Sequence, residues 1–132
     1  MLPYLRLVAT ITRLIERLAR PPEEVRSENL RRWASTIAGA TPISQVEPRT
    51  RCKVAGVVQN IRIDPREGTG SIEATIIDGS GQMIAKWLGR PSLAGITLGM
   101  GIVAEGTAGK GEGDELVILN PDYRLVPDPE HG

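Results

Sequence analysis

The chain has 132 residues, of which 40% are hydrophobic and 24% are charged, so it fits one ordinary folded domain with a short extension. Its net charge is zero and Cys52 is its only cysteine, which excludes an intrachain disulfide and a cysteine-rich zinc site. Residues 1–53 hold ten basic and five acidic side chains, whereas residues 54–132 hold six and eleven. The basic half is either a surface for an acidic partner such as nucleic acid or a solvated helix face.

Residues 1–40 are predicted to form a helical extension with one or two α-helices. Apolar residues follow helical spacing over residues 2–19 and make one stripe: Leu7, Ile11, Leu14, Ile15 and Leu18. Pro22 is well placed to open a second helix, with Trp33 on its apolar face, and Gly39 is predicted to stop it. Amphipathic helices of this kind pack on a domain or pair two protomers. Residues 1–38 are therefore a candidate surface for homo-oligomer formation.

The N-terminal segment is too interrupted by charge to span a bilayer. Past Arg6 its longest uncharged run is six residues, and a spanning helix needs about 20. It also lacks the small-residue cleavage site of a signal peptide. We therefore expect no membrane partner and a cytoplasmic location.

Residues 41–126 are predicted to form a β-barrel, and residues 127–132 a disordered tail. Five segments have the alternating pattern of strands, namely Arg51–Ile63, Ser71–Ile77, Gln82–Leu88, Met100–Ala108 and Leu116–Leu119. The run Asp78-Gly79-Ser80-Gly81 predicts a tight hairpin between the second and third. The pattern is typical of a mainly β fold, a five-stranded Greek-key OB-type barrel, and a small sandwich is the alternative.

The first strand changes its inward-facing parity partway along. Cys52 and Val54 share one parity, while Val57 and Ile61 share the other. Because a strand has a period of two, this change requires an extra residue or a sharp bend. Gly56 stands at the change, so a bulge or bend is predicted there.

The residues that carry most enzymatic chemistry are scarce. The only histidine is His131, next to the C-terminus, so no Cys–His or Ser–His–Asp arrangement has credible members. The acidic group Glu112, Asp114 and Glu115 lies in a glycine-rich loop without the ligand spacing of a calcium loop. The sequence therefore predicts a binding protein that is not an enzyme, with no metal, no cofactor and no small-molecule substrate.

A binding face is predicted across the second and third strands and their flanking loops, where OB-type barrels usually hold ligands. The candidate residues there are Arg62, Arg66, Thr75, Lys86, Trp87, Arg90 and Lys110, with Arg31 and Arg32 as auxiliary basic residues. Cations would contact phosphates and a ring would stack on a base. Neighbours on a strand point to opposite faces, so Lys86 and Trp87 cannot both line a flat face. Whether Trp87 is core or binding face stays open at this point.

Several runs of the sequence resemble the OB-fold nucleic-acid-binding domain family. They are VAGVVQNIRI, SIEATIIDGSGQMIAKWLGR, LAGITLGMGIVAEGTAG and NPDY, within residues 38–126. The chain is most similar to small stand-alone actinobacterial OB-fold proteins that carry "ATPI" after a charged helix. It also has a distant likeness to the wedge domain of the RecG helicase, whose first strand-three aromatic matches Trp87. The second aromatic falls on Leu88, a departure from that pattern.

The resemblance implies a non-catalytic protein that binds single-stranded or structured DNA or RNA, with a link to repair or recombination. The alternative is a protein-interaction or self-assembly module that uses the N-terminal helices. The sequence does not separate DNA from RNA or indicate a base preference.

Overall fold

The computed structural model describes residues 22–66, 69–90, 92–127 and 129. Helix α1 spans Pro22–Ser35, with Glu23 and Glu24 in its first turn, where the helix dipole favours acidic side chains. The helix predicted over residues 2–19 lies outside the described residues, as does most of the predicted tail. Within the described part, no helix has the length and apolar character needed to cross a membrane.

Helix α1 ends four residues earlier than predicted. The N–H groups of Thr36 and Ile37 donate to the carbonyls of Trp33 and Ala34, so the chain leaves the helix through tight turns after Ser35. Gly39, with φ of 79°, lies in the next turn, in which the Ala40 N–H donates to the Ile37 carbonyl, and does not end the helix.

Six strands follow α1 in the described chain. They are β1 (Arg51–Asp64), β2 (Ser71–Ile77), β3 (Gln82–Leu88), β4 (Gly101–Lys110), β5 (Leu116–Leu119) and β6 (Asp122–Val126). The hydrogen-bonded order β1-β2-β3-β5-β4, with β4 pairing back to β1, makes a partly closed ring of five strands. All pairs in the ring are antiparallel except β3 with β5. The predicted mainly β, OB-type barrel is therefore confirmed.

The sixth strand was not among the five predicted from alternation. β6 pairs with Gly101–Glu105 of β4, while β5 pairs with Ala108–Lys110 farther along that strand. Asn120-Pro121 separates the two short strands. β6 therefore lengthens the barrel wall past β5.

β1 belongs to both halves of the barrel. Arg51–Val57 pair with β4, and from Val57 onward the strand pairs with β2. The shift in register lies between Val58 and Asn60, so the predicted parity change is real but its bulge is at Gln59. The sequence predicted a bulge or a bend at Gly56, and the bulge lies three residues farther along the strand. A Cβ at Gly56 would clash with the backbone carbonyl of Ile77, so glycine there permits the close approach of β2.

The core is almost entirely aliphatic. Its strand members that are at most 1% exposed include Val54, Ile72, Ile76, Met83, Ile102 and Ile118. Ile43 and Val46 of the connector after α1, and Leu93 of the β3–β4 loop, join the same cluster. These loop residues cover apolar surface that a barrel of this size leaves open at its ends.

The β2–β3 hairpin is fixed to the N-terminal segment through Asp78, which is buried. One carboxylate oxygen of Asp78 accepts a hydrogen bond from the Ile43 N–H at 2.8 Å. The other accepts from the N–H and hydroxyl of Ser80 and from the N–H of Gly81. On the opposite side of the turn, the Arg31 guanidinium donates to the Gly79 carbonyl at 2.8 Å. The predicted hairpin is confirmed, and α1 and the connector hold it in place.

Replacing Asp78 with alanine should destabilise the protein by about 2–3 kcal/mol, because it leaves the buried Ile43 N–H and two turn N–H groups without an acceptor. Urea unfolding followed by circular dichroism measures the loss. Asp78→Asn, which keeps one oxygen acceptor, should lose less. Equal stability of wild type and Asp78→Ala would contradict this account of the hairpin.

Candidate nucleic-acid interface

One row of side chains crosses the outer face of four strands. The registers place Arg62 of β1 opposite Glu73 of β2, Glu73 opposite Lys86 of β3, and Lys86 opposite Leu119 of β5. Neighbouring strands lie about 4.8 Å apart, so these side chains stand side by side. The row therefore presents a positive, a negative, a positive and then an apolar side chain.

This row forms the floor of a groove of about 1040 Å³. The end of β1 and the residues that follow it form one wall, and the turn from β4 into β5 forms the other. The lining includes four aliphatic side chains, Ile63, Ile84, Val117 and Leu119. Ile63 and Leu119 are more than half exposed, at 55% and 54%. No aromatic ring is among the described lining residues.

The charges of the groove nearly cancel. Its described lining holds three basic residues, Arg62, Lys86 and Lys110, and four acidic residues, Asp64, Glu73, Glu112 and Glu115. The carboxylates therefore offset part of the attraction that the cations exert on a phosphate. The groove is therefore less basic than the seven-residue face predicted from the sequence.

Most of the predicted cations already have acidic partners. Lys86 Nζ lies 3.3 Å from Glu73, Lys110 Nζ lies 3.7 Å from Asp114, and Arg66 Nη2 lies 2.7 Å from Asp64. Arg62 is exposed, lines the groove, and has no ion pair in the part of the chain that the structure describes. Arg62 is therefore the groove cation that a ligand phosphate reaches at least cost.

The Arg66 side chain makes three hydrogen bonds to the Asp64 carboxylate. Its Nε donates to both oxygens of the Asp64 carboxylate and its Nη2 to one of them. These hydrogen bonds, with a further bond from the Arg66 N–H and the nearby charge of Lys86, hold the pKa of Asp64 below its usual value. The Asp64 carboxyl therefore stays ionised, beside the groove, to lower pH than an ordinary carboxyl.

Trp87 is part of the core, which decides between the two positions that the sequence left open for this ring. The side chain is 2% exposed, its indole N–H donates to the Pro121 carbonyl at 3.1 Å, and its ring meets Tyr123 edge to face at 5.3 Å. The physical reason is the parity of β3. Lys86 faces the groove, so its neighbour Trp87 faces inward.

The other predicted residues scatter around the groove. Thr75 lies on β2, one row nearer the hairpin than Glu73, and is not among the groove lining. Arg90 lines a separate cleft with Leu88 and Asn120, beyond the end of β3. Arg62, Lys86 and Lys110 are the three that the structure brings together.

The auxiliary residues Arg31 and Arg32 do not join this group. Arg31 is bound to the Gly79 carbonyl at the hairpin, and Arg32 follows it in the last turn of α1. Gly79 is six residues along from Glu73, a distance of about 20 Å on an extended chain. Arg31 of α1 and the groove are therefore at different ends of the barrel.

The aliphatic floor was missed by the sequence reasoning. Ile84 shares parity with Lys86, so alternation alone could have placed it on the outer face. Val117 and Leu119 reach the floor through the parallel pairing of β5 with β3, which has no local signal in the sequence.

Two further observations concern the Cys52 thiol and possible metal ligands. Burial raises the pKa of the Cys52 thiol, an effect partly opposed by the charge of Arg51, so the thiol stays protonated at neutral pH. Among residues 22–66, 69–90, 92–127 and 129, no three histidine, cysteine or acidic side chains are grouped to hold a metal ion.

Comparison with known proteins shows the fold of the chain but does not assign the chain to a family. No protein-family model matches the chain, and no curated protein matches it. RecG bound to a three-way DNA junction is similar at 14% identity over 70% of this chain and 13% of that one, with a TM-score of 0.50. A murine DNA-binding protein bound with double-stranded DNA is 18% identical over 68% and 48%, with a TM-score of 0.51.

A third similar structure is the p204 HINb domain, at 16% identity over 66% of this chain and 47% of that one, with a TM-score of 0.51. The chain spans less than half the length of each of these three proteins. At these identities the likeness shows a shared fold alone.

Trp87→Phe should destabilise the protein by about 2–3 kcal/mol, because it removes the hydrogen bond to Pro121 and leaves a cavity in the core. Chemical denaturation measures the change. Trp33→Phe, at a partly buried position of α1, is the matched control and should cost about 1 kcal/mol or less. An unchanged unfolding midpoint for Trp87→Phe would place this ring outside the core.

Arg66→Ala should raise the pKa of Asp64 toward the ordinary carboxyl value, because it removes the hydrogen bonds that favour the ionised form. A pH titration of the Asp64 carboxyl carbon by NMR measures this. Since the folded pKa is lowered, the stabilisation from Asp64 is present above its unfolded-state pKa and is lost as pH falls through the folded value. An Asp64 pKa that does not respond to Arg66→Ala would argue against this pair.

Proposed function

We propose that the groove binds a strand of nucleic acid, either single-stranded or at a structured site in DNA or RNA, and that the protein holds this ligand without converting it. The observation that carries the proposal is the position of Arg62. This cation, which has no ion pair among the described residues, stands in an open groove across β1, β2, β3 and β5, above an aliphatic floor. Phosphates would lie along the cations and the sugars and bases on the apolar side chains.

The expected binding is weak and tolerant of sequence. Stacking on an aromatic side chain contributes about 1–3 kcal/mol per base, and the groove has no ring among its described residues. Three or four phosphate contacts, to Arg62, Lys86, Lys110 and Arg66, would give a slope of log affinity against log salt of roughly −2 to −3 for a single strand. Lys86, Lys110 and Arg66 must each exchange a carboxylate for a phosphate.

The structural neighbours support this proposal at the level of ligand class. RecG was solved on a three-way DNA junction and the murine protein on double-stranded DNA. A role in DNA repair or recombination is the finer part of the proposal, so a forked oligonucleotide belongs in the assay beside single-stranded and duplex probes.

Arg62→Ala should weaken binding of a labelled single-stranded oligonucleotide about 3- to 10-fold at low salt and reduce the salt slope by about 0.7, because one phosphate contact is lost. Fluorescence anisotropy across a salt series measures both. Arg124→Ala removes the same charge from β6, away from the groove lining, and should stay within about 2-fold of wild type.

Two results would count against the proposal. If the wild-type protein binds none of the single-stranded, duplex and forked probes at low salt, the function is wrong. If Arg62→Ala and Arg124→Ala weaken binding equally, nucleic acid binds but not in this groove.

A second candidate function is a protein-interaction or self-assembly module. The near balance of charge in the groove and the 42% exposed Val25 on α1 favour it. Light scattering of the full chain separates the two functions. A dimer that dissociates on Val25→Lys supports self-assembly through the N-terminal region. A protein that is monomeric at all concentrations excludes self-assembly.

A further inference from the structure

Glu73 occupies the middle of the cross-strand row. Its direct neighbours are Arg62 on one side and Lys86 on the other, and all three point to the outer face of the barrel. With strands about 4.8 Å apart, the two cations flank the carboxylate at roughly 10 Å from each other. A ligand lying along Arg62 and Lys86 must therefore pass over a negative charge.

The carboxylate of Glu73 is partly screened from water. Its side chain is 27% exposed and that of Lys86 is 33% exposed, with 3.3 Å between Lys86 Nζ and Glu73 Oε1. A charge in such a half-buried position is weakened less by salt than one on an open surface. A phosphate that approaches Lys86 meets this carboxylate as a competitor for the same ammonium group.

The chemistry of a carboxylate decides which ligand groups can lie beside it. An ionised carboxylate only accepts hydrogen bonds, so it repels phosphate oxygens, which at neutral pH are acceptors as well. It binds N–H groups, and glutamate accepts a hydrogen bond from the amino group of cytosine. A ligand with phosphates at Arg62 and Lys86 and a base N–H group at Glu73 would pair with all three charged side chains of the row.

We propose that Glu73 is a specificity-determining residue of the groove, which favours a polynucleotide whose bases offer N–H donors over a bare phosphate chain. This inference rests on the proposed function. Arg62 and Lys86 attract both ligands, and Glu73 penalises the one that brings no donor to its carboxylate. The ion pair with Lys86 keeps Glu73 in place until the ligand arrives.

The test compares two ligands of equal charge, inorganic polyphosphate and a short oligo(dC), on wild type and Glu73→Gln. Competition against a labelled oligonucleotide gives both affinities. Glu73→Gln should bind polyphosphate about 5-fold tighter, because the repulsion is gone. Its affinity for oligo(dC) should change less than about 2-fold, since the oligonucleotide also loses its charged acceptor. The selectivity ratio should therefore fall.

Glu112→Gln is the matched control, because it removes one negative charge from the groove lining but not from the central row. It should tighten binding of both ligands by the same factor and leave the selectivity ratio unchanged. Thermal unfolding checks that both variants fold.

The outcomes separate the two levels of the proposal. A wild-type protein that binds no oligonucleotide contradicts the proposed function itself. A wild-type protein that binds oligo(dC), with Glu73→Gln shifting both ligands equally or neither, contradicts only the role of Glu73. Equal wild-type affinities for polyphosphate and oligo(dC) also overturn that role.

Discussion

Closure of the barrel depends on β1 being hydrogen-bonded to two different strands. Its first half pairs with β4 and its second half with β2, and Val57 takes part in both pairings. The absence of a side chain at Gly56 lets the Ile77 carbonyl come close at this crossing. The bulge at Gln59 then resets the parity, so that Val58 stays in the core and Arg62 faces outward beside Glu73. The groove exists because of this local arrangement.

The orientation of the groove is fixed from the opposite end of the barrel. Asp78 joins the β2–β3 hairpin to the connector at Ile43, and Arg31 joins it to α1. These contacts hold β2 and β3 at the hairpin, while the other ends of the same strands form the groove floor. Helix α1 therefore has a structural role, and its Arg31 is used there.

The electrostatics of the groove explain why composition is a poor guide to affinity. The predicted binding face had five cations, yet Arg66, Lys86 and Lys110 are each held by a carboxylate. The cations of the Arg66 and Lys110 pairs are exposed and such pairs are individually weak, so a phosphate can replace the carboxylate there at small cost. In the proposed function, the paired carboxylates of Asp64 and Glu73 would change selectivity, since they line the groove and remain there after a ligand binds. The aliphatic floor adds contact area without the geometric preference of a ring.

The sequence by itself determined five of the six described strands, the hairpin at Asp78, the aliphatic core and the need for a change of parity in β1. These features depend on residues close in the chain, through a period of two and through turn chemistry. Only the tertiary structure decided that Trp87 points inward, that the bulge is at Gln59, that Val117 and Leu119 join the floor, and which cations have acidic partners. The inward position of Trp87, the site of the bulge, the floor residues of β5 and the Lys86–Glu73 pair all depend on pairing between strands. The Arg66–Asp64 and Lys110–Asp114 pairs are local in sequence but depend on the conformation of their loops. Alternation predicts two faces for a strand, but only the partners across the barrel decide which face is buried.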